Sequence, residues 1–378
     1  MKVLIAGDYC PRDRVSQNIE NEGGSFLFAS QIVDIIQETD YAIVNFECAV
    51  ADEKDQHIPK CGPNLRCSAK AVSQLKKAGF AGVTLANNHF RDFGNAGVEK
   101  TLAALKAEGL DYVGGGKDIT EAAMILYKEI KGETLAIINV CENEFSIADN
   151  IRGGAAPLDI IDVAHRIKEA RNNAKYALVI IHGGHEHFQY PSPRMKKLYR
   201  YFVEIGADAV VNHHQHCYSG YEVYMGKPIF YGLGNFCFDR KGCRGGIWNE
   251  GYMVGLEFQS GKIGYELYPY TQCDEEPIVE MMTGPKLETF WQMVRAISNT
   301  ISDDRLLKEK YDEFVSRRSQ TVITPFTPYF NEYVRAAAGR HYIPYMIPRK
   351  KLAEMLNFIS CEAHRDVLIE SMQKRLEK

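Results

Sequence analysis

The amino-acid sequence predicts an α/β fold in which strands form the centre and helices lie outside. In the first two thirds of the chain, short apolar runs alternate with stretches that carry an apolar stripe at helical spacing. Several apolar runs end abruptly in polar side chains, as buried strands do when their carboxyl ends open into a site. After residue 216 the pattern changes to strand, turn and strand. Together these observations favour sheet layers covered by helices.

The composition is that of an ordinary soluble globular protein. Its 378 residues, 45% hydrophobic and 25% charged, can bury a large core as one domain or two. The net charge of -4 gives no general attraction to nucleic acid, so we expect no nucleic-acid partner. Because no apolar run reaches membrane-spanning length and the first residues do not resemble a signal peptide, we expect no membrane segment and a cytoplasmic location. The ten cysteines are then expected to be reduced and mostly buried.

Strands and helices alternate from the start of the chain. The predicted strands are residues 3–6, 41–44, 83–86, 111–113, 123–127, 135–140, 177–181 and 209–211. The predicted helices are residues 26–38, 68–78, 96–108, 160–172 and 195–205. Later strands at residues 221–224, 229–231, 253–258 and 263–268 indicate antiparallel pairs, with a long loop over residues 232–251.

The chain turns helical from about residue 283, and we place a domain boundary near Pro285. The sequence thus predicts a first domain over residues 1–285 and a helical C-terminal extension over residues 286–378. The extension contains no cluster of metal-binding side chains, but it carries prolines and aromatic residues, among them Phe326, Tyr329, Phe330, Tyr342 and Tyr345. This composition favours a packed appendage, or a contact that builds a homo-oligomer, over a free tail.

Polar side chains follow five predicted strands at the point where each strand ends. They are Asp8, Glu47, Asn88 with His89, His182 with Glu186, and His214 with His216. The carboxyl ends of the strands in an α/β sheet meet at one edge, where ligands bind. Carboxylates, an amide oxygen and imidazoles are ligands for divalent Mn, Fe, Zn or Co. Two such ions bridged by a carboxylate can clamp a phosphate and activate a water molecule.

Each of these residues also has a plain structural explanation when it is considered singly. Asp8 is typical of a turn after a strand, Glu47 of a surface carboxylate, and His182 of a hydrogen-bonded core histidine. The segment from His213 to His216 is different, because three histidines in four residues rarely arise for packing alone. An extended His-x-His segment also presents both imidazoles on one face. The cluster as a whole therefore favours metal binding.

The motifs that carry these side chains resemble those of the CapA family, bacterial capsule-synthesis proteins linked to poly-γ-glutamate. The matching segments occur in order and span about residues 3–270: Gly7-Asp8, Asn45-Phe46-Glu47, Ala86-Asn87-Asn88-His89 with Asp92 and Gly94, His182-Gly183-Gly184-x-Glu186, Gly206-Ala207-Asp208, His214-Gln215-His216, and Gly234-Asn235-Phe236-x-Phe238-Asp239. The family is in turn similar to calcineurin-like metallophosphoesterases. That similarity implies a four-layer α/β/β/α sandwich with a dinuclear metal site.

The resemblance also implies a role for each matching residue. The implied metal ligands are Asp8 and His216 for the first ion, Asn88, His182 and His214 for the second, and Glu47 as the bridge between two Mn, Fe or Zn ions. The implied catalytic residues are His89 as the general acid, with Asp92 and Glu186 orienting the imidazoles. If the protein is a hydrolase, Arg66, Asn235 and Asp239 are the candidate substrate contacts.

The sequence departs from the phosphoesterase pattern at Cys10, where that pattern has a histidine. Cys10 is then either a soft thiolate ligand or a small filler beside an emptier metal site. Many family members also carry an N-terminal membrane anchor that is not evident here, and this weakens the expectation of a role inside a membrane-bound capsule synthase.

Two functions follow from these observations. The first is a metal-dependent hydrolase of the phosphoesterase type, associated with capsule or poly-γ-glutamate synthesis and acting on a small molecule or an anionic polymer. The second is a non-catalytic accessory protein that keeps the fold and binds a polymer synthase or the anionic polymer itself. The departure at Cys10 favours the second, and the retained Asn88, His89, His182, His214 and His216 favour the first.

Overall fold

A computed structural model of the chain describes residues 1–22, 27–60, 62–259, 261–323 and 331–343, together with Met355 and Ile359. The chain divides into two compact units, Met1–Lys308 and Glu309–Lys378. Some of the predicted features lie outside the described residues: the start of the helix predicted from residue 26, and the tail residues Phe326, Tyr329, Phe330 and Tyr345.

Strands account for most of the first unit. In chain order they are β1 (Lys2–Tyr9), β2 (Tyr41–Phe46), β3 (Ala49–Val50), β4 (Arg66–Cys67), β5 (Gly82–Thr84), β6 (Asp111–Val113), β7 (Gly115–Gly116), β8 (Leu126–Ile130), β9 (Glu133–Cys141), β10 (Gly154–Ala155), β11 (Tyr176–His182), β12 (Ala209–His213), β13 (Tyr221–Tyr224), β14 (Lys227–Phe230), β15 (Asn235–Cys237), β16 (Glu250–Gln259), β17 (Lys262–Gln272) and β18 (Val279–Met281).

The helices lie between these strands and beyond them. In chain order they are α1 (Arg14–Glu22), α2 (Ser30–Gln37), α3 (Lys70–Ala78), α4 (Gly94–Ala107), α5 (Ile119–Ala122), α6 (Ile160–Asn173), α7 (Pro193–Glu204), α8 (Gly284–Ser302), α9 (Asp304–Ile323) and α10 (Glu332–Gly339). Local sequence sets several of their ends. Asp159 caps α6 by accepting hydrogen bonds from two backbone N–H groups, and Gly79 ends α3 in a left-handed conformation.

Two large sheets carry the fold. The first has the order β18-β17-β16-β1-β2-β5-β6, with β15 also paired to β1, and its β1, β2, β5 and β6 run parallel. The second has the order β13-β14-β12-β11-β9-β8, with a parallel centre and an antiparallel strand at each edge. The parallel strands account for the continuous apolar runs in the sequence, because both of their faces are covered.

The alternation of side chains along β1 shows how the layers are built. Val3 and Ile5 point into a cluster that contains the side chains of the second sheet, whereas Leu4 and Ala6 point to the other face, against the helices α1 to α4. Helices α6 and α7 cover the second sheet. The order of layers is therefore helix, sheet, sheet and helix, which confirms the predicted α/β/β/α sandwich.

The first compact unit continues past the predicted boundary near residue 285. Helix α8 contributes Phe290, Val294 and Ile297 to the core, and each of them is at most 1% exposed. In the second unit, the side chain of Asn331 caps α10 by accepting from the backbone of Tyr333 at 2.9 Å. The assignment of residues 286–378 as a separate extension, and of that extension as an oligomer contact, stays a prediction.

Some elements escaped the sequence patterns. Helix α1 was not predicted, because its apolar positions are few. Strand β15 lies in a segment predicted as loop, since a strand that begins with a polar Asn and contains only three residues gives no periodic signal. Among the described residues, no helix combines the length and the apolar character needed to cross a lipid bilayer.

Candidate metal centre

The site begins where β1 and β2 end. In the parallel register Asp8 lies beside Asn45, and the pairing is irregular between Ala6 and Asp8. The backbone N–H of Asp8 donates to the carbonyl of Gly234 at 3.1 Å. A Cβ atom on Gly7 would lie 2.0 Å from that same carbonyl oxygen, so only glycine allows this close approach of the two strands.

Two groups of buried side chains at this edge could each hold a metal ion. The first consists of Asp8, Glu47 and His216, and the second of Glu47, His182 and His214. In each group the candidate ligand atoms lie within 4.8 Å of one another. Glu47 belongs to both groups, which is the arrangement that a bridging carboxylate requires.

The hydrogen bonding of these carboxylates tests whether the residues fit a cation. Oδ2 of Asp8 and both carboxylate oxygens of Glu47 are buried and have no hydrogen-bond partner. Glu47 Oε1 lies 3.6 Å from the Nε2 atoms of both His182 and His216. Buried carboxylate oxygens without partners are costly, and a cation between them and the imidazoles would satisfy both. The residues therefore fit a divalent metal centre.

The second group includes an amide. Asn88 Oδ1 lies 3.1 Å from His182 Nε2, and His214 Nδ1 lies 3.0 Å from the same nitrogen. Three potential ligand atoms thus converge from segments that follow different strands. His214 and His216 have positive φ angles of 94° and 53°. Non-glycine residues adopt such angles at an energetic cost, and they do so mainly at functional sites.

Two asparagines hold the ligands in place. Asn45 Nδ2 donates to Asp8 Oδ1 at 2.8 Å and lies 3.2 Å from His182 Nδ1. Asn235 Oδ1 lies 3.0 Å from His216 Nδ1, which accordingly carries the proton that it donates. Nε2 of His216 then remains the nitrogen that faces Glu47. Partners of this kind orient a metal-binding imidazole and select its tautomer.

Burial and charge shift the titration of the site. Burial favours protonated Asp8, but His213 and His216 outweigh it and hold the pKa of Asp8 well below its usual range. At Glu47 burial acts in the same direction as the nearby charge of Asp8, and the pKa of Glu47 lies well above its usual range. Burial lowers the pKa of His182 far below its usual value, which keeps the imidazole in the neutral form that binds metals.

His89 lies beside this centre in a separate hydrogen-bonded group. Its Nδ1 lies 2.7 Å from Asp92 Oδ2, and the backbone N–H of Leu65 donates to the same carboxylate oxygen at 2.6 Å. Lys60 forms an ion pair with Asp92 and approaches His89 Nδ1 to 3.0 Å. Burial is the main cause that lowers the pKa of His89, and the charge of Lys60 adds to it.

The predicted metal and acid–base residues are brought together. Asp8, Glu47, Asn88, His89, Asp92, His182, His214 and His216 are all buried at one edge of the two sheets. Glu186 is partly exposed near this group, where the charges of His216 and His214 outweigh burial and keep the pKa of its carboxyl below the usual value. It makes an ion-pair contact with His187 at 3.9 Å, and its role in orienting an imidazole stays a prediction.

The structure places the three predicted substrate contacts in different surroundings, and their contact with substrate stays a prediction. Asn235 is fully buried and bonds to His216 and to the carbonyl of Trp248, so its amide serves the protein interior. Asp239 is also buried, where Arg14 and Arg244 occupy its two oxygens. Arg66 pairs with the exposed Glu53 at 3.0 Å.

Cys10 is fully buried in the apolar cluster beneath the outer helices and belongs to neither ligand group. Its thiol contacts that of Cys48 and lies near the Glu47 carboxyl. Both alternatives, a soft ligand and a small filler, stay predictions. The cysteines of the described residues are free thiols, and apart from Cys243 they are buried, as expected.

Sequence reasoning assigned no role to four residues of the site, although the histidine run that favoured metal binding includes His213. His213 Nδ1 lies 3.4 Å from Asp8 Oδ1, and Glu144 Oε1 lies 3.8 Å from His214 Nε2. Lys60 lies in the connection between β3 and β4, and Trp248 lies in a short 3-10 helix, Ile247–Asn249. The run of histidines could have indicated His213, whereas Lys60 and Trp248 reach the site only through contacts across long stretches of chain.

Fold and site together define a four-layer α/β protein with a candidate dinuclear metal centre at the carboxyl ends of its strands. The family model of the bacterial capsule synthesis protein PGA_cap matches residues 2–240. The chain belongs to this family, and the resemblance drawn from the motifs is thereby confirmed.

Individual relatives support the same assignment. A capsule biosynthesis protein CapA of Bacillus anthracis is 32% identical over 248 residues, which are 64% of this chain and 60% of that protein. A PGA biosynthesis protein CapA of Bacillus subtilis is 32% identical over 244 residues, 64% of each chain. A probable polyglutamine synthesis accessory protein of Mycobacterium tuberculosis is 28% identical over 222 residues, 55% of this chain and 58% of that protein. The chain thus spans less than two thirds of the length of these relatives.

Proposed function

We propose that this protein is a metal-dependent hydrolase of the phosphoesterase type that acts in capsule or poly-γ-glutamate synthesis. The observation that carries the proposal is the pair of buried ligand groups that share Glu47. Asp8, Glu47 and His216 would hold one divalent ion, and Glu47, Asn88, His182 and His214 the other. Mn, Fe and Zn suit this set of carboxylate, amide and imidazole ligands. The family membership supports the link to capsule synthesis.

The metal ions, when bound, would supply a site that activates water and neutralises charge on phosphate oxygens. The protein supplies the proton transfer. Because His89 Nδ1 is held by Asp92, Nε2 is the atom from which His89 gives a proton to the leaving oxygen. Lys60 secures Asp92 through its buried ion pair, and its positive charge eases proton release from His89. Asn45 and Asn235 keep the metal-binding side chains oriented.

The test combines metal analysis with hydrolysis. The protein, purified without added metal or chelator, is expected to contain about two equivalents of Mn, Fe or Zn, and His214→Ala is expected to contain less. With Mn²⁺ supplied, the protein is expected to hydrolyse a bis-aryl phosphate. His89→Ala is expected to lower kcat by about 10²- to 10⁴-fold, the usual contribution of a general acid.

His165→Ala is the matched control, since His165 is an exposed histidine on helix α6. It should keep both the metal and the hydrolysis. A wild-type protein that holds two ions yet hydrolyses no phosphate ester or amide of a substrate panel would refute the proposal. Unchanged hydrolysis in His89→Ala would refute the acid role alone.

A second candidate function is that of a non-catalytic accessory protein that binds a polymer synthase or an anionic polymer. The observation that favours it is Cys10, which stands where the phosphoesterase pattern has a ligand and lies in the apolar core instead. The name of the mycobacterial relative as an accessory protein is consistent with this reading. One equivalent of metal, together with no hydrolysis, would select this candidate over the first.

A further inference from the structure

A loop with several positive charges lies beside the candidate metal centre and takes no part in it. We call residues 239–246 the basic loop; it contains Arg240, Lys241 and Arg244. One of these positive charges, Arg244, is already paired within the protein. Asp239 accepts hydrogen bonds from Arg14 Nε at 2.9 Å and from Arg244 Nε at 3.1 Å. This ion pair joins the start of the loop to helix α1 and to the loop's own far end.

Arg240 is held in a different way. Its guanidinium carbon lies 5.3 Å from the centroid of the Trp248 ring, within the range of a cation–π contact. Arg240 is exposed, and it forms no ion pair with a carboxylate of the residues that the structure describes. A guanidinium that is fixed on an aromatic face and keeps its N–H donors open is suited to bind an anion.

The platform beneath Arg240 is rigid and reaches the metal centre. Trp248 is 4% exposed, and its Nε1 donates to the carbonyl of Phe238 at 2.8 Å. The centroid of its ring lies 4.9 Å from that of His216, a candidate ligand, and 5.8 Å from that of the exposed His187. The backbone carbonyl of Trp248 accepts from Asn235, the residue that orients His216. The Trp248 ring therefore contacts both Arg240 and the candidate ligand His216.

We infer that Arg240, stacked on Trp248, binds a second anionic group of an extended substrate whose reacting group lies at the metal centre. The inference rests on the proposed function, because it names the substrate class of that site. The ligand chemistry is a carboxylate or a phosphate, each of which a guanidinium binds through two parallel hydrogen bonds. A repeating anionic polymer carries such a group on every unit. Asp239 is a positioning residue for this loop and does not contact the substrate.

The charges around the centre explain why an anionic substrate would need Arg240 to bind. Glu144 and Glu186 lie near the candidate ligands and repel an approaching anion. Arg14 and Arg244 share the one negative charge of Asp239, which offsets half of their combined positive charge. Arg240 and Lys241 carry the remaining positive charge of the basic loop. Of the two, Arg240 has the aromatic support that lowers the entropy lost on binding.

The experiment measures binding and hydrolysis separately. A fluorescent γ-linked glutamate oligomer and a fluorescent oligophosphate are titrated with the Mn²⁺-loaded full chain, and anisotropy gives the Kd. Arg240→Gln is expected to raise the Kd about tenfold, the loss of one charge-assisted hydrogen-bonded contact. Lys241→Gln, the matched control on the same exposed loop, is expected to raise it by about twofold or less. Arg240→Lys is expected to fall between, because lysine keeps the charge without the planar fork.

The probe that shows the Arg240-dependent effect identifies the anion as carboxylate or phosphate. Equal affinities of Arg240→Gln and wild type would overturn the inference. Equal losses of affinity in Arg240→Gln and Lys241→Gln would also overturn it, because they would indicate an effect of overall charge. Failure of the wild type to bind either probe would overturn it as well. Arg240-dependent binding without any hydrolysis would reject the proposed enzyme and leave Arg240 as an anion-binding residue of an accessory protein. Hydrolysis with a KM for anionic substrates that Arg240→Gln leaves unchanged would support the proposed enzyme and overturn the inference about Arg240.

Discussion

Glu47 and Asp239 are both buried carboxylates, and we predict that neutralising them has opposite effects on stability. Glu47 is 0% exposed and neither of its oxygens has a hydrogen-bond partner. Asp239 is also 0% exposed, but two arginines satisfy it. Burial and Asp8 raise the pKa of Glu47, so its carboxyl either carries an unpaired charge or takes up a proton when the metal-free protein folds, and both cost free energy at neutral pH. Glu47→Gln removes that cost, whereas Asp239→Asn leaves two guanidiniums without their anion.

The magnitudes follow from these environments. An unsatisfied buried polar group costs about 1–3 kcal/mol, so metal-free Glu47→Gln is expected to gain about 1–2 kcal/mol, or roughly 2 °C in Tm. Asp239→Asn is expected to lose about 3 kcal/mol with or without metal, because it breaks a buried ion pair. Mn²⁺ at about 100 times its Kd should stabilise the wild type by ~2.7 kcal/mol. Mn²⁺ should stabilise Glu47→Gln much less than it stabilises the wild type.

Thermal and urea unfolding, each followed in chelator and in Mn²⁺, provide the assay. The decisive quantity is the difference between the two conditions for each variant. If Glu47→Gln unfolds at a lower temperature than wild type in chelator and still shows the full Mn²⁺ shift, Glu47 is not a bridging ligand and the argument from its unsatisfied oxygens fails. Asp239→Asn should retain the Mn²⁺ shift, and it thereby controls for a general loss of folding.

Three further predictions concern the structure around the centre. Burial raises the pKa of Asp239, but Arg14 and Arg244 outweigh burial and hold this pKa below its usual value. The stability from this pair is therefore present above about pH 4 and lost as the pH falls through the folded pKa of Asp239. The wild type and Asp239→Asn should accordingly differ less in their free energy of unfolding by urea at pH 3 than at pH 7, with pH 4 between. Gly7→Ala should lower the free energy of unfolding by more than about 2 kcal/mol and reduce the rise in Tm on adding Mn²⁺, because the new Cβ would collide with a backbone carbonyl next to Asp8. Wild-type stability of Gly7→Ala would refute the close approach. Tyr199→Phe should cost about 1–2 kcal/mol in urea unfolding, since it removes the 2.7 Å hydrogen bond to Asn212 and leaves that buried amide oxygen unpaired; no change would show that Asn212 finds another donor.

The sequence was most informative where the strands end. Apolar runs that stop at Asp8, Glu47 and His182 predicted both the sheets and the place where their side chains converge, because a parallel strand buries all but its carboxyl end. Family resemblance supplied the pairing of two sheets, which periodicity alone does not encode. The layers then follow from the alternation along strands such as β1.

The sequence was least informative where a side chain meets a partner from a distant part of the chain. Asp239 pairs with Arg14, which lies 225 residues away, and Lys60 pairs with Asp92, which lies 32 residues away. No local pattern indicates such pairs, so Asp239 was predicted to contact substrate and Lys60 was not singled out. The contact between Asn235 and His216 was not predicted for the same reason, because His216 comes from another connection.

The order of strands in the first sheet has a consequence for synthesis on the ribosome. One edge of β1 is covered by β2, but its other edge is covered by β15 and β16, which lie more than two hundred residues later in the chain. At about 5–20 residues per second, translation leaves that edge open for at least ten seconds or so. An uncovered apolar strand edge recruits other strands. The nascent chain is therefore expected to depend on chaperones during this interval, and slow codons between β12 and β15 would lengthen it.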